Sequence, residues 1–165
     1  MGKDDAAILG GDDESDTLWT LLEICGFDYD AYERITEEID EKILEGAENN
    51  VIEALSDSLP DLVPTREDLN AQLLDPYSEL NVLLSRCEIG YLDFLILGVL
   101  ILKTGAVLPP ELKEKILKTA AWETDEWRWK EEFKEERKKA LQYFRSKIEN
   151  HIDGKVSASE IDFWF

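Results

Sequence analysis

Tyr32, Ile35, Ile39 and Ile43 step along the chain by three and four residues, the spacing of one face of an α-helix. Between them the chain is almost entirely polar. The same helical arithmetic gathers Asp30, Glu33, Glu37, Asp40, Glu41 and Glu48 on the opposite side, with Arg34 and Lys42 the only nearby bases. The pattern predicts a helix with one narrow buried stripe and an acidic ridge along its back, opened by a cap at Asp28 or Asp30.

Similar periodicity continues through the chain. Leu18, Trp19, Leu21, Leu22 and Cys25 follow possible caps at Ser15 or Asp16, and Gly26 closes that helix. Val51, Ile52, Leu55 and Leu59 form a short helix ending before Pro60, and Thr65-Arg66-Glu67-Asp68 resembles a capping box opening a helix with Leu69, Leu73 and Leu74. Asp75-Pro76 marks a break before a helix over 77–85. Next comes an apolar helix over about 91–103, hydrophobic nearly all round and so expected to be surrounded by the others. Pro109-Pro110 starts a helix with Leu112, Ile116, Leu117 and Ala120 on one face. Thr124 is expected to cap a last long helix to about Ile152, whose run Lys130 to Lys139 mixes acids and bases at spacings of three and four as a self-neutralising solvated face. No strand pattern or fixed-period repeat is present. The expectation is an all-α single domain, residues 1–165, built as a bundle of about six to seven helices around the central apolar one, with 1–12 and the extreme C-terminus flexible.

Charge divides the chain. Residues 1–80 hold 23 Asp and Glu against 4 Lys and Arg, while residues 81–165 hold 15 against 14, so −19 of the net −20 lies in the first half. Such a field costs self-repulsion and speaks of partners or solubility rather than of fold. At 44% hydrophobic and 10% aromatic residues the chain is nevertheless rich enough to build a core, unlike a disordered acidic tail.

The stretch Ile89 to Leu102 is too short for a membrane span, which needs about 20 apolar residues, and Asp93 interrupts it. The acidic opening, Met1 to Asp16, lacks the apolar segment of a signal peptide, and a cytoplasmic protein is expected. Cys25 and Cys87 form no CxxC pair and read as small core residues.

Little in the chain signals catalysis. His151 is the single histidine, and no nucleophile elbow, phosphate-cradling loop or His-x-x-x-His motif stands anywhere. No cofactor is expected. The most specific local match is Asp153 to Glu160, which reproduces the second half of an EF-hand calcium loop with Asp153, Ser157 and Glu160 as ligands and Gly154 at the turn. Its first half fails, with Glu149, His151 and Ile152 in the preceding places, and the plainer reading is a glycine turn ending the long helix. Trp122, Trp127 and Trp129 lie within eight residues. Trp129 falls in register with Phe133 and the core, whereas Trp122 and Trp127 flank Thr124 and are candidates for an interface anchor.

Met1-Gly2, Ile8-Leu9, Asp12 and Asp16, followed by the order of segments from Phe94 to Ile148, resemble a bacterial family of unknown function. Its members open with Met-Gly-x-Trp-Gly and continue through an acidic stretch into a helical body. Lys3-Asp4-Asp5 stands here where that Trp-Gly would be. The resemblance implies an acidic helical domain and no assigned activity.

The expected function is an acidic, non-enzymatic inhibitor that neutralises a basic protein partner, such as an immunity protein against a toxin or nucleic-acid-processing enzyme, with no direct contact to nucleic acid or membrane. Carboxylates presented where the target expects phosphates would achieve this, and duplex mimicry is a special case. The binding candidates are Asp30, Glu33, Glu37, Asp40, Glu41, Glu48, Trp122 and Trp127. The alternatives are a calcium-responsive EF-hand-like module and a carboxylate-dependent enzyme.

Overall fold

The computed structural model describes residues 12–60, 62–124 and 131–157. Among these residues all regular structure is helical. The eight helices are α1 (Asp12–Ile24), α2 (Tyr29–Leu44), α3 (Asn49–Asp57), α4 (Arg66–Leu74), α5 (Glu79–Ser85), α6 (Leu92–Thr104), α7 (Pro110–Thr124) and α8 (Glu131–Glu149). The count exceeds the expected six to seven. Of the stretches named as flexible, 1–12 and the extreme C-terminus, residues 1–11 and the chain beyond Ser157 lie outside the described residues, and Asp12 is the first residue of α1.

The apolar helix α6 buries every residue from Phe94 to Leu102, and it packs against α1, α7 and α8. A helix apolar on all sides requires such neighbours, because it has no polar face to turn to solvent. Gly98 sits in its middle, where Ala would be favoured by about 1 kcal/mol. Packing explains the glycine: a Cβ there would lie 2.6 Å from Phe144 Cζ, so its absence lets the α8 ring approach the α6 backbone. None of the described helices is long and apolar enough to cross a membrane.

Polar groups tie down the end of α6. Gly105 caps it in the left-handed conformation, and Arg66 Nε donates to the Thr104 carbonyl at 2.7 Å. From α4, Asn70 Oδ1 accepts Val107 N–H at 2.8 Å. The segment after α8 returns to the same loop, with Gly154 N–H bonded to Gly105 O (2.7 Å) and Ser157 N–H to Leu102 O (2.9 Å).

Two helix boundaries differ from those expected. Thr124 is the last residue of α7 rather than the cap of the next helix. Helix α8 stops at Glu149 instead of reaching Ile152, which is 60% exposed, because the backbone beyond 149 turns to pair with the 102–108 segment. The Lys130 to Lys139 run is also not a wholly solvated face. Arg137 within it is only 1% exposed, as is Glu14 on α1.

Candidate partner-binding surface

The acidic helix begins where the sequence places it. Helix α1 ends in a Schellman motif: Gly26 (φ +79°) donates to Glu23 O and Phe27 N–H to Leu22 O, both at 3.0 Å. Asp28 then caps α2, its Oδ1 accepting Ala31 N–H at 3.0 Å. A second left-handed glycine, Gly46, ends α2 in the same way, with Ala47 N–H bonded to Lys42 O at 3.0 Å. The chain reverses there and α3 packs back along α2.

This α2–α3 hairpin departs from the expected buried stripe. Neither helix contributes a buried residue. Tyr32, Ile35 and Ile39 are half-buried, and Ile43 is 54% exposed. The physical reason is that the short α3 covers the stripe from one side only, with Ile52, Leu55 and Leu59 themselves half-buried. Toward the tip the cover ends, and Leu44 and Val51 also face solvent.

The root of the hairpin is held by aromatic rings. Trp19 of α1 meets Phe27, Tyr29 and Tyr32 edge-on, with centroids 5.9, 5.3 and 5.4 Å away. Such perpendicular contacts suit the ring quadrupoles. Beside them lies a cavity of about 650 Å³ lined by Trp19, Glu23, Phe27, Asp28, Tyr29 and Asp30. The sequence reading did not single this place out. Its signal was present in the alternation Phe27-Asp28-Tyr29-Asp30, which puts two aromatics and two acids at the junction of two helices.

The carboxylates expected on one ridge, Asp30, Glu33, Glu37, Asp40, Glu41 and Glu48, are all exposed, but only the first five lie on α2; Glu48 follows the left-handed Gly46 that ends the helix and is the N-cap residue of α3. Among the described residues none of these six forms an ion pair. Lys42 instead pairs with Glu45 at 3.3 Å, and Arg34 is exposed. Like charges three or four apart on a helix cost about 0.2–0.5 kcal/mol per pair. The like-charge pairs Asp30/Glu33, Glu33/Glu37, Glu37/Asp40 and Glu37/Glu41 outnumber the opposite-charge spacings Asp30/Arg34 and Arg34/Glu37, a net cost to this helix of at most about 1 kcal/mol in dilute salt. The ridge weakens the fold rather than supporting it.

The remaining candidates are dispersed. Trp122 is 44% exposed near the end of α7, its ring lying over Gly90, where a Cβ would come within 3.0 Å of Cε3 and Cζ3. Helix α7 packs on α6 and α8, whereas α2 packs on α3. Trp127 lies outside the described residues. In the calcium-like loop, Asp153 Oδ1 accepts Leu108 N–H at 3.0 Å, His151 Nε2 lies 2.8 Å from Ala106 O, and Ser157 is bonded through its backbone to Leu102. The described part of that loop therefore docks onto the body, and Glu160 lies outside the described residues. A carbonyl only accepts, so Nε2 of His151 carries the proton. No group of three or more His, Cys, Asp and Glu is placed to hold a metal ion among the described residues.

The thiols show no activation. Burial and, secondarily, the Asp68 charge push Cys25 up to about 11. Cys87 is pushed up to about 12 by burial, by its hydrogen bond to Asp93 Oδ1 (3.1 Å) and by that carboxylate's charge. Nucleophilic cysteines need the opposite environment.

Comparison with family models, with curated proteins and with solved structures returned no match.

Proposed function

We propose that this protein is an acidic binding protein whose α2–α3 hairpin captures and neutralises a basic protein partner, in the manner of an immunity protein or another inhibitor of a toxin or nucleic-acid-processing enzyme. One observation carries the reading: a sixteen-residue helix with no buried residue presents exposed carboxylates that lack ion-pair partners among the described residues. A surface element that contributes self-repulsion and no core is costly to keep for stability alone, and a positive partner reverses the sign of that cost. Exposed Ile43, Leu44 and Val51 at the tip add apolar area beside the charge, the combination of polar rim and apolar anchor that interfaces use.

In this reading α6 is the central helix of a bundle that serves as scaffold, the protein works in the cytoplasm without a cofactor, and it acts by occlusion rather than catalysis. Trp122 on α7 is a second contact candidate. The test is parallel capture from an extract of the source organism, using immobilised wild-type protein and the Glu33→Lys/Glu37→Lys/Glu41→Lys variant. A basic protein retained by the first, lost from the second and released by salt is expected. Identical retained sets would overturn the proposal.

A further inference from the structure

We infer that the elbow between α1 and α2 is a receptor for an organic cation, the guanidinium or alkylammonium side chain of a basic partner. This deepens the reading above and rests on it only for the source of the cation.

The geometry is that of a corner. Trp19 and Tyr29 stand at 87° with centroids 5.3 Å apart, and Phe27 adds a third ring at 67° to Trp19. Rings at right angles offer a cation one face while closing it from the side, and an aromatic face attracts a cation through its quadrupole. The corner is preformed. Phe27 is fixed by the Schellman bond to Leu22, Tyr29 N–H donates to Phe27 O at 3.0 Å, and Asp28 is held by its cap bond to Ala31.

Charge selects the ligand. Glu23, Asp28 and Asp30 line the cavity with the three rings, and among the described residues no basic side chain does. The two helix ends that meet here nearly cancel: the last turn of α1 contributes about −0.5 of a charge and the first turn of α2 about +0.5. What remains is the carboxylates. Glu23 is itself placed against local preference, an acid in the last turn of a helix that has no base there. An anion would be repelled from such a site and a neutral apolar group would strip water from carboxylates without compensation, whereas a flat or alkylated cation satisfies both rings and acids. The volume of about 650 Å³ admits a long basic side chain with its stem.

The test uses N-acetyl-arginine amide as probe, with N-acetyl-citrulline amide as its neutral isostere. Each is titrated into 15N-labelled protein while the Trp19 indole N–H, assigned with Trp19→Phe, and the backbone of residues 27–31 are followed. Saturable shifts in the millimolar range are expected for arginine and not for citrulline. Tyr29→Ala should weaken the response about fivefold. Tyr29 is 52% exposed, so its removal spares the core, and Glu23→Gln/Asp30→Asn provides a second, isosteric variant expected to weaken it similarly. Equal shifts with citrulline, unchanged shifts in both variants, or no saturable shift would overturn the receptor. Because the probe is a small molecule, arginine binding with no basic protein captured would sink the basic-partner reading and keep the receptor. Capture of a basic protein with a silent titration would sink the receptor alone.

Discussion

Arg66 Nε donates to the carbonyl of Thr104, 38 residues away, at 2.7 Å. This places one of the four bases of residues 1–80 at the C-terminal end of α6, where a positive charge meets the negative helix terminus. Lys42 is bonded to Glu45, and Lys3 lies outside the described residues. Arg66 therefore serves the fold, Arg34 is exposed, and the ridge carboxylates are left to solvent. A charge-assisted hydrogen bond contributes about 1.5–3 kcal/mol. Arg66→Ala is thus expected to lower unfolding free energy by about 2 kcal/mol, and Arg34→Ala, at an exposed position, by less than about 0.5 kcal/mol. Urea titrations of both variants give the comparison.

Salt should stabilise the protein. Repulsion among exposed acids decays over a Debye length of about 10 Å at 0.1 M and about 3 Å at 1 M. The melting temperature in dilute buffer is expected to rise with sodium chloride, and most of the rise should vanish in the Glu33→Lys/Glu37→Lys/Glu41→Lys variant. A flat melting curve across salt would mean that the acids are compensated in place.

Much of this architecture is legible from residue spacing, and the exceptions share a cause. Helical character, the Thr65 cap, the Gly26 stop and the burial of Phe94 to Leu102 follow from local patterns. Burial depth does not, because it depends on what covers a face. The stripe of Ile35, Ile39 and Ile43 has helical period, yet among the described helices its main neighbour is the short α3, and it remains half-exposed. Arg137 has the spacing of a surface residue yet is buried, since long-range packing places it. The elbow of Trp19, Phe27 and Tyr29 needed the angle between α1 and α2, which no periodicity contains.

Gly98 supplies a packing test. With a Cβ 2.6 Å from Phe144 Cζ, Gly98→Ala must displace a buried ring. Overpacking of this kind costs about 1–3 kcal/mol, which opposes a helix-propensity gain of about 1 kcal/mol. Net destabilisation is expected in thermal unfolding. A stabilised variant would show that α8 can shift away from α6 without cost.

The thiols predict an alkaline effect with a definite sign. Both are raised above the ordinary 9.0, Cys25 to about 11 and Cys87 to about 12. Between these values the folded state keeps protons that the unfolded chain releases, so the thiol contribution is intact below pH 9 and is lost as pH rises toward 11 to 12. The urea midpoint should fall above pH 9 more steeply in the native sequence than in Cys25→Ala/Cys87→Ala. Parallel slopes would contradict the assignment.

The ridge itself is tested most directly by association kinetics with the captured basic partner, measured across sodium chloride concentrations for wild type and for Glu33→Lys/Glu37→Lys/Glu41→Lys. Exposed charges steer encounter more than they hold a complex. The reversed ridge is expected to associate at least about tenfold more slowly in low salt, with a shallower salt dependence and an intact fold. Equal association rates and equal salt slopes in the folded variant would contradict it and remove the ridge from the interface.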